Sequence, residues 1–314
     1  MKIHVVIPAY KVESQILALL PRIGKTVSKI WVVDDACPNG SGQLVAEKSK
    51  DERVRVLFHE ENKGVGGAVI TGYLAAIEAG AEIVVKIDGD GQMHPEDLPE
   101  LVAPILAGRA DYSKGNRFDS IEGLRVMPKI RILGNAGLSL ISKLSSGYWS
   151  VNDPTNGYTA AHVKSLNRVG LHKLSNRYFF ESDLLYRLNL VGAVVEDVPL
   201  PARYGDEKSN LKVSKVLFEF PYRHFKNYWK RIAYRFFLRE WSVGSVELVA
   251  GLALTIFGLF FGLSSFFAAV SRDEATTAGQ VTIASLAVIL GFQLLLSFVS
   301  YDIQTEPRNP LQGR

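Results

Sequence analysis

Along roughly the first 210 residues, apolar positions come in short, nearly continuous runs that each end in polar residues or a turn. Ile3-His4-Val5-Val6-Ile7-Pro8-Ala9-Tyr10 predicts a strand stopped by proline. Ile30-Trp31-Val32-Val33-Asp34-Asp35 predicts a second strand, ending in paired acids, and Val54-Arg55-Val56-Leu57-Phe58 a third. A glycine-rich turn, Asn62-Lys63-Gly64-Val65-Gly66-Gly67-Ala68, then leads into a helix through about Ala79. Next comes Ile83-Val84-Val85-Lys86-Ile87, which ends in Asp88-Gly89-Asp90-Gly91-Gln92. Strands buried on both faces read as continuous apolar runs. Their alternation with helices predicts an α/β fold with a doubly wound, mostly parallel sheet.

Ligands of such sheets sit beyond the carboxyl ends of the strands, where Asp88 and Asp90 fall. In an extended segment, residues two apart point the same way. Two adjacent carboxylates repel unless a proton or cation separates them, and hard oxygen ligands suit Mg²⁺ or Mn²⁺ shared with phosphates. The tripeptide alone is equally a solvated turn. Acids at two strand ends, Asp34-Asp35 and Asp88/Asp90, would converge on one cleft and favour a site.

The other end of the chain differs. Leu248–Val270 is 23 residues without a charge, and Ala275–Tyr301 is a second uncharged stretch. Each exceeds the ~20 residues that cross a bilayer core. Ser271-Arg272-Asp273-Glu274 is too short a link for a domain, so a transmembrane hairpin is expected at about 248–270 and 279–301. Eight basic residues and two acids lie between Lys212 and Glu240, giving this segment +6 against +4 for the whole chain. Basic flanks mark the cytoplasmic side, which puts both termini and the catalytic part in the cytoplasm, at the inner membrane. Aromatic residues from Phe218 to Trp241 interleave with these charges and suggest amphipathic helices in the headgroup layer, broken near Pro221. A core-packing helix is the alternative there, and the position before a span disfavours nucleic acid. The expected organisation is a catalytic domain over 1–210, juxtamembrane helices over 211–245, the hairpin over 246–301 and a cytoplasmic tail over 302–314. The single cysteine, Cys37, excludes an intrachain disulfide and a cysteine zinc site. The N-terminus is expected to enter a strand directly, without a leader-like apolar core.

Seven segments share an order and spacing. They are Val6-Ile7-Pro8-Ala9-Tyr10, Val33-Asp34-Asp35, Asn62-Lys63-Gly64, Asp88-Gly89-Asp90-Gly91-Gln92, Gly115-Asn116-Arg117-Phe118, Asp153-Pro154-Thr155-Asn156-Gly157-Tyr158 and Phe180-Glu181-Ser182-Asp183. Together they resemble glycosyltransferase family 2, and more closely its polyprenyl-phosphate branch, typified by dolichyl-phosphate mannose synthase and bacterial undecaprenyl-phosphate glycosyltransferases. The resemblance implies a GT-A type Rossmann-like fold. It also implies a nucleotide-sugar donor, a polyprenyl-phosphate acceptor and single-step inverting transfer. By the same resemblance Asp88, Asp90 and Gln92 hold the metal and diphosphate, and Asp35 with Asp34 contacts the base or ribose beside Pro8, Ala9 and Tyr10. Lys63 and Gly64 let the backbone approach the nucleotide. Arg117 and Arg131, with Ser139 as a weaker candidate, match residues associated with the lipid phosphate; Asp153 lines the acceptor side. Glu181 and Asp183 orient the sugar or the arginines, or cap a helix. Arg203 and Lys208 belong to a flap that could meet the diphosphate, or to a solvated loop. His94 follows the acid motif without a specific role.

Two departures stand out: Lys11 where the family often has Asn, and Ala36-Cys37 where it usually has Gly-Ser. They leave the donor base and sugar open. A processive polysaccharide synthase would carry Gln-x-x-Arg-Trp and further spans, and neither is present. A transferase acting on a lipid-linked sugar hydroxyl would need a base such as Asp153 or Asp183. A non-catalytic nucleotide-sugar-binding scaffold has no reason to retain two repelling carboxylates. The glycine-containing spans permit homo-oligomers.

Overall fold

The computed structural model describes residues 1–117, 129–154, 156–201 and 213–314, with the backbone alone for 129–133, 135 and 213–218. The chain divides into two compact units, Met1–Trp229 with Pro307–Arg314, and Lys230–Glu306.

In the first unit, the described strands are β1 (Ile3–Ala9), β2 (Val27–Asp34), β3 (Val54–Phe58), β4 (Ile83–Lys86), β5 (Tyr112–Asn116), β6 (Thr159–His162) and β7 (Val195–Pro199). They form one sheet in the order β3-β2-β1-β4-β6-β5-β7. All pairs are parallel except those of β6, which runs antiparallel to β4 and β5. The helices are α1 (Ile16–Leu19), α2 (Ser41–Lys48), α3 (Val65–Glu78), α4 (Leu98–Leu106), α5 (Lys129–Ser146), α6 (Val163–Val169) and α7 (Phe180–Val191). Side chains alternate between two apolar clusters: Val5, Ile7, Val32 and Val85 belong to one, and Val6, Val33, Val84 and Tyr73 to the other. The sheet is therefore buried on both faces, which is why its strands lack polar alternation.

Proline does not stop β1. Pro8 lies inside the strand, opposite Val33 of β2, whereas pairing with β4 has already ended at Val6–Lys86. The missing N–H thus falls where one flank is unpaired, a position that tolerates proline. The chain winds from β1 out to β3 and then crosses to β4 on the other side of β1. The switch point that opens a ligand crevice is therefore at the carboxyl ends of β1 and β4.

One row across the sheet is polar. Lys86 of β4 is in register with Thr159 of β6, Thr159 with Lys114 of β5, and Lys114 with Asp197 of β7. Both lysines are buried. Burial lowers the Lys114 pKa to about 8, against the opposing pull of Glu181 and Asp153. Burial likewise raises Asp197 to about 6.

The last residues fold back into this unit. Fully buried Asp111 accepts hydrogen bonds from the backbone N–H groups of Val194 (2.9 Å), Leu311 (2.8 Å) and Gln312 (2.9 Å). Gln312 Nε2 donates to the carbonyls of Ile105 and Ala110, and Lys164 Nζ donates to that of Gln312. Leu311 enters the Val6–Val84 cluster at 1% exposure. A carboxylate this deeply buried must be satisfied, and the tail supplies two of its three donors.

The segment after β7 continues into α8 (Val213–Ala233). In the second unit, α9 (Val243–Ser271) and α10 (Ala278–Gln304) have 29 and 27 residues and are long and apolar enough to cross a membrane. Each begins at a capping box, Ser242 with Ser245 and Thr277 with Gln280, which satisfies the first free N–H groups. They pack through glycine. A Cβ at Gly291 would lie 2.6 Å from Thr255 N, and one at Gly258 2.8 Å from Val288 Cγ2. Leu252, Ile256, Phe260, Ile289 and Phe292 remain exposed. Buried Arg231 forks onto Asp302 at 2.6 and 2.9 Å, joining the end of α8 to the end of α10.

Ending the chain at Glu306 removes two donors from Asp111 and uncovers the Leu311 site. The unfolding midpoint of the detergent-solubilised protein should fall by several degrees, since ~1 kcal/mol moves a domain of this size by ~2–4 °C. Peptide 307–314 added in trans should restore part of the loss. Asp197 gives a pH signature. Between about pH 6 and its ordinary 3.8, the folded state holds a proton that the unfolded chain has lost. Its contribution to stability therefore improves as pH falls through this window and is unfavourable above it. Asp197→Asn should raise the midpoint at pH 7–8, with the gain shrinking toward pH 4. A pH-independent difference would rule Asp197 out as the titrating group.

Candidate active site

The acids after β4 do not continue the strand. β4 ends at Lys86, and Asp88 and Asp90 lie on the turn that follows, closed by Gly91 at φ +77°. Asp90 Oδ1 accepts the Gln92 N–H at 3.1 Å, and the Asp88 N–H donates to Met93 Sδ at 3.2 Å. Both acids are partly accessible and Gln92 is exposed. The turn thus offers two carboxylates and an amide beside the crevice, a donor set that fits Mg²⁺ or Mn²⁺ and leaves positions for water and phosphate.

Beneath them is a lysine. Lys86 Nζ lies 2.7 Å from Asp88 Oδ1 and 3.2 Å from Glu181 Oε1, and donates to the Gly157 carbonyl at 3.2 Å. Burial opposes its charge, yet Asp88 and Glu181 raise its pKa above the ordinary lysine value. Lys114 Nζ donates to the preceding carbonyl, that of Asn156. Gly157 has no room for a side chain: a Cβ would overlap Lys86 Nζ and lie 2.5 Å from Asp88 Oδ2.

On the β1–β2 side, Pro8 and Ala9 end β1 and Tyr10 is 44% exposed just beyond. Asp34 is buried and accepts the N–H groups of Cys37 (2.8 Å) and Gly42 (2.6 Å), a capping arrangement for α2. Asp35, also buried, accepts the N–H groups of Lys63 and Gly64 at 2.8 Å each. Its Oδ1 also meets His59 Nδ1 at 2.8 Å, and His59 Nε2 lies 2.9 Å from Thr71 Oγ1. The paired acids therefore shape the loops that surround the crevice. Lys63 is exposed and Gly64 has φ +87°. The two unusual residues, Lys11 and Ala36, both adopt left-handed backbone, at φ 58° and 50°. That region favours glycine and asparagine, the residue types the family resemblance leads one to expect there.

On the far side, Arg117 at the end of β5 forks onto Asp153, with Nε–Oδ2 at 2.7 Å and Nη2–Oδ1 at 3.1 Å. Asp153 is fully buried and the Arg117 side chain one-third exposed. Asn156 holds the loop through Gly115 O and the Tyr158 N–H. Asp183 takes the Ser175 N–H at 3.0 Å, Asn227 Nδ2 at 3.3 Å and Arg187 Nε at 3.4 Å. Glu181, not Asp183, is the acid of α7 that reaches Asp88's neighbour Lys86. Ser139 Oγ donates to the Asn152 carbonyl at 3.3 Å. His94 meets Arg22 at 2.8 Å, and its carbonyl accepts from Tyr158. Arg131 lies on α5, its side chain outside the described residues, as are Arg203, Lys208, Phe118 and Thr155 entirely. Sequence reasoning missed Lys86, Lys114 and His59. A lysine ending an apolar strand was the available signal for Lys86, and a histidine just past β3, level with Asp35, for His59.

Residues 4–170 match the family model described as glycosyl transferase family 2. The chain is 30% identical over 218 residues to UDP-N-acetylglucosamine–dolichyl-phosphate N-acetylglucosaminyltransferase of Methanococcus voltae, covering 65% of this chain and 86% of that one. It is 30% identical over 206 residues to undecaprenyl-phosphate mannosyltransferase of Micrococcus luteus, covering 64% and 83%. The fold is shared with glucosyl-3-phosphoglycerate synthase of Mycobacterium tuberculosis, solved with Mn²⁺, UDP and glucosyl-3-phosphoglycerate. That likeness has a TM-score of 0.53 and 22% identity, over 73% of this chain and 79% of the other. With an α/β sheet wound around a β1–β4 crevice and a family match spanning more than half of its length, the chain belongs to glycosyltransferase family 2.

Proposed function

We propose that this protein is a membrane-anchored, inverting glycosyltransferase that moves a sugar from a UDP- or GDP-sugar to a polyprenyl phosphate at the cytoplasmic face of the membrane. The observation that carries this reading is the state of the acceptor-side carboxylates. A sugar hydroxyl needs a general base to remove its proton. Asp153 is locked in the Arg117 fork, and Asp183 is held by Ser175, Asn227 and Arg187. A phosphate acceptor is already an anion and needs no base. It needs a cation to place it, and Arg117 is a one-third-exposed guanidinium held in a fixed plane by Asp153, suited to phosphate oxygens. The names of the Methanococcus and Micrococcus relatives point to the same acceptor class.

Asp88, Asp90 and Gln92 would hold Mg²⁺ or Mn²⁺, which when bound neutralises the departing nucleoside diphosphate. Asp35 organises the Lys63-Gly64 turn at the nucleotide side. Lys86 and Lys114 fix the Asn156-Gly157 carbonyls and with them the acceptor loop, so that the acceptor oxygen meets the anomeric carbon opposite the leaving group. A single displacement from that direction inverts the configuration. For membrane placement, support comes from α9 and α10 and from the basic segment before them. Residues 307–314 fold with the first unit, so a two-span hairpin returns the chain to the side it left.

The decisive assay supplies purified protein in detergent with undecaprenyl or dolichyl phosphate, Mg²⁺ or Mn²⁺, and labelled UDP- and GDP-sugars. Label should enter the organic phase with one donor and vanish with EDTA. Asp88→Asn should abolish transfer; full activity in that variant would refute the metal assignment. Arg117→Ala should raise the acceptor KM by ~10–100-fold with a small change in donor KM, the size of a lost charge-assisted hydrogen bond. Gly157→Ala should cut kcat by ~100-fold and also lower the unfolding midpoint, because its Cβ displaces Asp88 and the buried Lys86 ammonium.

A further inference from the structure

Lys86 has a place in the cleft that structural support alone does not explain. It is 1% exposed, and its ammonium stands 2.7 Å from Asp88, an acid otherwise free to bind a cation, and 3.2 Å from Glu181. Lysine is rarely buried unless paired, and here the pair includes the first acid of the Asp88-Gly89-Asp90 motif. A further carboxylate, Glu181 of α7, faces the same ammonium. Among the described residues, no three acidic, histidine or cysteine side chains gather as a ready cage for a metal ion.

We infer that Lys86 is a resident counter-ion of Asp88 that makes the site reject a bare divalent cation and accept it together with a nucleoside diphosphate. The signs of the charges decide the effect. A divalent ion on Asp88 would sit within a few ångströms of a fixed positive charge, and repulsion at that distance is strong in a partly buried site. A diphosphate brings negative charge that more than offsets the ion's. The metal–nucleotide complex is then attracted by the same ammonium that repels the ion alone. Lys86 thereby couples the two ligands: each binds better when the other is present, and the coupling is reciprocal. Asp88 is kept in place and charge-balanced while the site is empty, so no reorganisation is needed when the donor arrives.

This inference rests on the proposed role of Asp88 and Asp90, and the experiment separates the two. Mn²⁺ binding to the full-length protein in detergent is followed by the Mn²⁺ paramagnetic resonance signal, alone and with saturating UDP or GDP. Lys86→Met and Lys86→Gln are compared with wild type, and unfolding midpoints confirm that each is folded. Wild type should bind Mn²⁺ weakly alone and ~100-fold more tightly with the nucleotide. Lys86→Met should bind Mn²⁺ alone ~10-fold or more tighter than wild type, because Asp88 and Glu181 then lack their cation, and should lose most of the nucleotide dependence. Lys86→Gln, polar but uncharged, should behave alike and serves if the methionine variant does not fold. The inference is overturned if folded variants bind Mn²⁺ alone no better than wild type. It is equally overturned, with no variant needed, if wild type binds Mn²⁺ as tightly without nucleotide as with it. Absence of any Mn²⁺ binding in the presence of either nucleotide would instead remove the metal role of Asp88 and Asp90, and this inference with it.

Discussion

A single buried ammonium holds together parts of the chain that are far apart in sequence. Lys86 ends β4, yet it reaches Gly157 on the loop before β6 and Glu181 on α7, as well as Asp88 two residues on. Taking an ammonium out of water costs several kcal/mol, and only close partners offset that. The partners are therefore constrained to stay, and their positions define the crevice. Lys114 repeats the device one carbonyl earlier, at Asn156. The Asn156-Gly157 loop is set against Asp88 by charge, in a layer that apolar side chains would fill in most α/β sheets.

That arrangement explains what could be read in the sequence and what could not. Strands buried on both faces announce themselves as apolar runs, so β1 to β4 and the acids at their ends were legible. β6 was not, because Thr159-Ala160-Ala161-His162 carries no such run and takes its direction from its neighbours. Glu181 and Asp183 looked equivalent as a pair two residues apart. On a helix, such residues point roughly 200° apart, so only one can face the crevice, and Glu181 does. Asp34 and Asp35 were visible as polar residues at a strand end, but their hydrogen-bond partners are backbone N–H groups that no side-chain pattern reveals. Lys86 was hidden because a strand residue in an apolar run suggests packing, not a counter-ion.

The C-terminal residues carry a related lesson. Nothing in the composition of 307–314 marks it as part of a core, since it has one leucine among polar residues and prolines. It belongs there because Asp111 is buried with more acceptor capacity than Val194 can fill. A polar group that must be satisfied recruits a segment that hydrophobicity would leave in solvent.

Charge also supports the proposed phosphate acceptor. An enzyme that activates a hydroxyl keeps a carboxylate or histidine with a lone pair directed at its substrate. Here Asp153 holds the Arg117 guanidinium, and Asp183 accepts from Ser175, Asn227 and Arg187. The donor side shows the same economy, with Asp88 balanced by Lys86 before any ligand arrives. With Lys86 beside Asp88 and Arg117 beside Asp153, cationic groups stand next to the acids on both sides of the cleft, as the proposed binding of anions would require. The proposed ligands, a nucleoside diphosphate on one side and a phosphate monoester on the other, are both anions that such cations attract.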